Sequence, residues 1–316
     1  MGGGARRART TSSTHNSGRT TRSHNARSRR REHLEREPTL LVTVDAEYWY
    51  NSRLFNPERA RSSAEAAGFT TPEEDVGAVL DAFSKHGVKA TFFVLGSLLE
   101  EYPHLTRFIE SRGHEVGIHA YNHLEFPTHE AFTQDLQRGL EVFRRTTGKT
   151  PAGYRHPYFM VNQQKLATLS KHFAYDTSVV PSLHIPGHYG HPSAKTTPTR
   201  LGGMLELPLS VTPYIRLPAA TGWYYRNLGR RYIEWIINSS LRRHAYAQIC
   251  LHTWEFTPKN RVRGVPKHVF RNCGKPMEKL VEELCDLADR AGAALLTCSE
   301  YARSPENAAG KAENVL

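Results

Sequence analysis

Two histidines four residues apart, His119 and His123, close the short apolar run Glu115-Val-Gly-Ile118. A His-x-x-x-His pair brings two imidazoles to one point when the backbone turns helically between them, an economical way to hold a metal ion. Among 17 histidines that spacing alone is a weak signal. It gains weight from what ends the other apolar runs. Thr39 to Val44 finishes in Asp45-Ala46-Glu47, Ala152-Gly-Tyr is followed by Arg155, Phe173-Ala-Tyr by Asp176, and Ala247 to Leu251 by His252. Two imidazoles and one carboxylate form the donor set of a divalent catalytic ion with positions left open for water and substrate. The other carboxylate is then free to act as a base and the late histidine as an acid.

These residues converge only if the runs are parallel strands. Thr71-Pro72-Glu73-Glu74 opens a helix carrying Val76, Val79, Leu80 and Phe83 inward, and Gly87 stops it. Strands over Val88 to Leu95 and Glu115 to Ile118 bracket a helix over Pro103 to Arg112. Thr128 caps a helix with Phe132, Leu136, Leu140 and Phe143, a short helix covers Asn162 to Lys171, and residues 181–203 read as a long loop. A strand from Met204 to Thr212 interrupted at Pro208, a helix from Tyr224 to His244, a helix from Pro276 to Arg290 and a strand from Ala293 to Thr297 complete the alternation. Strand, helix, strand implies right-handed crossovers. The expected architecture is a distorted, incomplete (β/α) barrel of about seven parallel strands, with its chemistry at the carboxyl ends of the strands.

The domain organisation follows from charge and polarity. Residues 1–37 hold ten Arg and three Glu, so 10 − 3 = 7 of the formal charge of +11 lies there. So few large apolar residues cannot order a segment, and 1–37 reads as a disordered Arg-rich tail. The barrel domain is expected over 38–302 and a flexible tail over 303–316. Without the apolar core of a secretory signal, a cytoplasmic location is expected, with the arginines offering peripheral contact to an anionic membrane. Nucleic acid is not an expected partner, and the oligomeric state is open. Cys250, Cys273, Cys285 and Cys298 lack C-x-x-C spacing and read as isolated thiols.

Over Pro38 to Ala302 the sequence resembles the polysaccharide deacetylases with a NodB-homology domain, carbohydrate esterases that remove N-acetyl groups from amino sugars. The resemblance rests on Thr43-Val-Asp45-Ala-Glu47, His119 with His123, Arg155-His-Pro157-Tyr158-Phe159, Tyr175-Asp176-Thr-Ser178 and Ile249-Cys-Leu251-His252, in the family's order. It implies Asp45 as general base and His119 and His123 as metal ligands. It also implies His252 as general acid, Arg155 orienting the base, the Tyr158 backbone N–H on the oxyanion, and a catalytic-motif role for Asp176. The family's adjacent aspartates are here separated by Ala46, with Glu47 second; Asp45 is kept as base and Glu47 as third ligand.

The expected activity is metal-dependent removal of an N-acetyl or N-formyl group from an amino sugar in a glycan or lipid-linked precursor. One divalent ion is implied, zinc foremost, with cobalt, manganese and nickel as alternatives. Two other readings stand beside it: a cyclic amide or ureide hydrolase of allantoinase type on the same fold, and a non-catalytic carbohydrate-binding protein. Trp223, Trp254 and Phe256 read as core or as a sugar-stacking wall. Glu255, His184, His188 and His191 read as groove or solvated loop.

Overall fold

The structure is a computed structural model that describes residues 1–2, 37–51, 62, 68–185, 189–218, 220–260, 262, 264–308 and 315–316. It divides into two units, Met1–Arg36 and Glu37–Leu316. The Arg-rich tail lies almost wholly outside the described residues, as does His188.

β1 (Thr39–Ala46) is buried along its whole length and pairs in parallel with β2 (Thr91–Val94), with β8 (Tyr246–His252) and, at its start, with β9 (Ala294–Leu296). From β2 the sheet continues through β3 (Glu115–Ile118), β4 (Gly153–Tyr154), β5 (Tyr175–Asp176) and β7 (Met204–Glu206) to β6 (Thr199–Leu201). Every pairing is parallel except that of β6 with β7. Leu41, Phe93, Tyr175, Leu205 and Tyr246, from five different strands, meet in one buried cluster. The sheet therefore curls around an interior, as the barrel expectation required. Among the described residues, no regular strand joins the β7 side to β8. An irregular segment spans the gap: Ser210 N–H donates to Gln248 O at 3.3 Å and Cys250 N–H to Ala220 O at 2.9 Å.

The curl demands close approach at β4. A Cβ on Gly153 would lie 1.9 Å from the Tyr175 ring, so only glycine lets that ring fill the interior.

Outside the sheet pack α1 (Pro72–His86), α2 (Gly96–Glu101), α3 (Leu105–Ser111), α4 (His129–Thr147), α5 (Gln163–Leu169), α6 (Gly222–Leu228) and α7 (Arg230–His244). They are followed by α8 (Lys267–Phe270), α9 (Lys275–Ala291), α10 (Cys298–Arg303) and α11 (Pro305–Ala308). α1 carries the expected capping box: Glu74 N–H donates to Thr71 Oγ1 at 3.3 Å and Thr71 N–H to Glu74 Oε2 at 2.7 Å. Apolar faces of these helices and the outer side of the sheet form the main core.

Two expectations on elements are corrected. Thr199–Leu201 is a strand inside the expected loop, because it finds β7 as an antiparallel partner. The helix expected over Tyr224 to His244 is two helices, divided at Gly229 (φ 86°), where the chain leaves helical geometry. Between β2 and β3, α3 answers the helix expected over Pro103 to Arg112, and a further short helix, α2, precedes it. At the far end, Arg200 Nε donates to Asn307 O at 2.8 Å and Val315 is buried in the main core.

Candidate active site

Alternation along β1 puts Thr43 and Asp45 on one face, and Glu47, one residue past the strand, continues that parity toward the interior. Ala46 turns to the helix side, in the main core. An Asp-x-Glu spacing can thus aim two carboxylates at one space. Asp45 sits in register with Phe93 on β2 and His252 on β8, so base and acid candidates start from adjacent backbones.

The imidazoles arrive by a different route from the expected one. Residues 119–123 are not helical: Ala120 adopts a left-handed conformation (φ 61°) just past β3 and turns the chain. Buried Asp135 on α4 fixes that turn, accepting from Tyr121 N–H at 2.8 Å and Asn122 N–H at 3.1 Å. His123 Nε2 then lies 2.7 Å and His119 Nε2 3.9 Å from Glu47 Oε2. His119 Nδ1 is 2.9 Å from Arg155 O, an N–H contact that leaves the Nε2 lone pair toward Glu47. Burial holds His119 down at about 4, so the ring is neutral near pH 7.

A metal fits this trio. The donor atoms of Glu47, His119 and His123 all lie within 4.8 Å of one another, in a carboxylate and two-imidazole set. Glu47 Oε2 and His123 Nδ1 are buried without a hydrogen-bond partner; for Oε2, with two imidazoles facing it, the missing partner is one a cation supplies.

Asp45 is held differently. Arg155 Nη1 donates to its Oδ1 at 2.7 Å, with both side chains buried. Burial alone would raise the Asp45 pKa, but Arg155, then His119 and His252, outweigh it and hold the carboxyl at about 2. Arg155 is itself fixed: Nε donates to Thr177 Oγ1 and Nη2 to Thr43 Oγ1, both at 2.8 Å, while its guanidinium lies 4.5 Å from the Phe93 ring centre. With its amide turned to satisfy both ends, Gln248 accepts from Arg155 Nη2 at 2.8 Å. Cys250 Sγ lies 3.4 Å from Asp45 Oδ2 and 3.3 Å from Arg155 Nη1. All four cysteines are free, yet Cys250 is not isolated: it packs beneath the base candidate, and burial pushes its thiol up.

His252 completes the ring, Nε2 3.7 Å from Glu47 Oε1. Its companion is one that sequence reading left as groove or loop: Glu255. Glu255 Oε2 accepts from His252 N–H at 2.9 Å and lies 3.4 Å from Nδ1, an ion-pair contact. Glu255 Oε1 accepts from Arg226 Nε at 2.9 Å, and Arg226 Nη1 donates to Val269 O and Arg271 O. Both side chains of this ion pair are fully buried. Burial pulls His252 down, but Glu255, then Glu47 and Asp45, outweigh it and raise the ring to about 9. A Cβ on Gly222 would fall 2.0 Å from the Glu255 carboxylate, so glycine there makes room for this arrangement.

Asp176 stands apart. It accepts from Ser178 N–H at 3.0 Å and Ser178 Oγ at 2.8 Å, is fully buried, and does not line the cleft. Its pKa is raised, burial being the chief cause. It neighbours Glu206, whose carboxyl burial and Asp176 push well above its ordinary value. Tyr158, in a left-handed conformation (φ 56°), faces the cleft, its ring edge-on to His123 at 4.3 Å between centres and its hydroxyl donating to Asn51 O at 2.5 Å. The cleft, about 250 Å³, is walled by Trp49, Trp223, Trp254 and Tyr189 above the acids and imidazoles. Trp254 and Trp223 are thus wall residues, while Phe256 lies in the core. His184 and His191 line a neighbouring pocket instead.

A curled, mostly parallel sheet with two acids, one of them arginine-held, two imidazoles and a late histidine at its strand ends defines a deacetylase-type (β/α) fold. Residues 68–175 match the polysaccharide deacetylase family model, in line with the resemblance; residues 177–290 match a second model, described as a domain of unknown function (DUF3473). A peptidoglycan-N-acetylglucosamine deacetylase of Bacillus cereus is 35% identical over 94 residues, covering 28% of this chain and 34% of the relative. A chitin deacetylase of Pestalotiopsis sp is 32% identical over 96 residues, covering 29% and 32% respectively. The chain thus spans about a third of the length of these curated relatives. A crystal structure of a Mycobacterium smegmatis protein assigned to the polysaccharide deacetylases superposes with a TM-score of 0.59 at 20% identity. It covers 89% of this chain and 95% of that one, a likeness of fold.

Proposed function

We propose that the chain is a metal-dependent N-deacetylase acting on an N-acetylated amino sugar within a glycan or lipid-linked glycan. The observation that carries this reading is the convergence of Glu47, His119 and His123 beside an arginine-held Asp45, with His252 across the same cleft. The matched relatives are peptidoglycan and chitin deacetylases, which supports the amide of an N-acetylhexosamine as the bond cleaved.

Glu47, His119 and His123 would hold one divalent ion, with zinc the best match to two nitrogens and one oxygen. When bound, such an ion polarises the amide carbonyl and lowers the pKa of water. Asp45, ionised at every physiological pH, takes the proton of the attacking water, and Arg155 keeps the carboxylate aimed. As the C–N bond breaks, His252 gives its proton to the departing amine, so that the products are the free amino sugar and acetate. Glu255 orients His252 and favours its charged form; the Tyr158 amide is the oxyanion donor. The tryptophan walls stack on the sugar ring and exclude water.

The test joins metal analysis to acetate release from N-acetylglucosamine oligomers, with allantoin as a control for the cyclic-amide reading. Glu47→Gln is expected to lose bound metal and activity together. Asp45→Asn and His252→Ala are expected to keep stoichiometric metal and lose activity by about 10²–10⁴-fold, the usual worth of a general base or acid. Metal-replete wild-type protein that releases no acetate from any N-acetylated glycan would sink the reading.

A further inference from the structure

We propose that the turn over residues 213–217 and the outer ridge of α7 form a docking face for an anionic phospholipid surface, with a lipid phosphate seated in the cleft between them. Four of the eight large apolar side chains that the described residues leave exposed lie here: Tyr214 is 85%, Ile215 63%, Trp235 47% and Leu217 43% exposed. The turn is held, not loose. Arg216 N–H donates to Thr212 O at 3.2 Å, Thr212 N–H to Leu217 O at 3.0 Å, and Leu183 N–H to Arg216 O at 2.8 Å. Tyr214 and Arg216 both sit at positive φ (66° and 54°). Two non-glycine residues in that region are strained, and here the strain projects Tyr214 and Ile215 into solvent; strain retained for an exposed apolar tip points to a role for the tip.

Charge selects the occupant. Residues 213–244 contain six arginines and one acid, Glu234. Arg226 is buried against Glu255 and Arg230 pairs with Glu234 and with Glu283 of α9, so the positive charge of this face rests chiefly on Arg216, Arg231 and Arg243. Glu234 is engaged by Arg230 at 2.9 Å and Arg290 at 3.1 Å, toward the start of α7. On that helix Trp235 and Arg243 are exposed, with Ser239 buried between them, and the Arg243 guanidinium lies 4.1 Å from the Tyr214 ring centre, which joins helix to turn. Arg231 and Arg242 flank Trp235 on the same side of the helix. Aromatic tips set among arginines are the arrangement that sinks into a headgroup layer.

Behind the tip lies a cleft of about 330 Å³ with no carboxylate in its lining. Arg216, Arg243 and His244 line it; the Ser240 hydroxyl donates instead to Tyr246 O at 2.7 Å, and Arg216 Nη1 donates to Pro192 O and Ala194 O. Two guanidiniums with no carboxylate in the lining suit a phosphate. Two-fold pairing with a second copy would set arginine against arginine. A protruding tip also needs a deformable acceptor more than a flat protein face. No described helix is long and apolar enough to cross a membrane, so attachment through this face is peripheral.

The experiment is co-sedimentation of the full-length protein with vesicles of phosphatidylcholine alone or mixed with phosphatidylglycerol. Two variants are compared with wild type: Tyr214→Ser with Ile215→Ser, and Arg216→Gln with Arg243→Gln. Wild type is expected to bind only the mixed vesicles, and each pair of substitutions to weaken binding at least about tenfold. Acetate release from a soluble oligomer and thermal unfolding should stay at wild-type values for the tip pair, since its side chains lie in solvent. Binding by both variants equal to wild type overturns the proposal, as does equal binding to both vesicle types. If inorganic phosphate occupies the cleft while the tip variant holds vesicles as well as wild type, the cleft is an anion pocket and the membrane face is refuted.

Discussion

Replacing Glu255 with glutamine removes one charge and almost no volume from a place where neither Glu255 nor Arg226 touches water. Two consequences separate. For stability, Arg226 keeps its carbonyl acceptors at Val269 and Arg271 but loses its counter-charge. Breaking a buried ion pair costs about 3–5 kcal/mol when the remaining charge is uncompensated. The two retained acceptors put the expected cost near the lower end, a fall in Tm of roughly 6–10 °C for a domain of this size. For catalysis, His252 loses the strongest influence favouring its protonated form. A general acid is worth about 10²–10⁴-fold, so partial loss of its charged form should lower amide turnover at least about tenfold.

The assay that distinguishes positioning from general damage compares two leaving groups. An amine must be protonated to depart; 4-nitrophenolate need not be. Glu255→Gln should therefore depress acetate release from an N-acetylglucosamine oligomer while changing release from 4-nitrophenyl acetate by less than about threefold, with metal content unchanged. Equal losses on both substrates would mean that Glu255 only holds the fold. No loss on either would mean that His252 does not need it.

Further outcomes follow from the same geometry. Gly222→Ala should reproduce the leaving-group signature, because its Cβ would stand 2.0 Å from the Glu255 carboxylate. In metal-free protein the raised His252 pKa, about 9 against 6.5, contributes stability that is fully present below pH 6.5 and lost as pH rises to 9. Thermal unfolding in chelator should show that decline, and Glu255→Gln should flatten it. Asp176→Asn should leave the amide kcat within about threefold, since Asp176 touches Ser178 and Glu206 and not the cleft; a loss beyond about tenfold, read in the same acetate assay, would restore a catalytic role. Cys250, buried with its thiol pushed up, should resist a thiol-reactive dye in the native state and react only on unfolding.

Where the sequence is informative here, and where it is not, depends on whether a residue's partner is set by periodicity. Thr43, Asp45 and Glu47 share a face because strands alternate, and the apolar run before them announces a strand; register with β8 then sets Asp45 against His252. Periodicity carries no information about loops. The spacing of His119 and His123 suggests a helical turn, yet the rings meet through the left-handed Ala120 and the hold of Asp135 from α4. Glu255 sits three residues after His252, but its meaning depends on Arg226, 29 residues earlier, and on a glycine that leaves space for its carboxylate. Tyr175 entering the barrel over Gly153 is a contact between neighbouring strands that no local pattern encodes. Residues that do chemistry at strand ends are thus legible one at a time. The groups that hold them, Arg226 behind Glu255, Thr177 and Gln248 around Arg155, Asp135 beneath the histidine turn, become legible only when the sheet has closed around them.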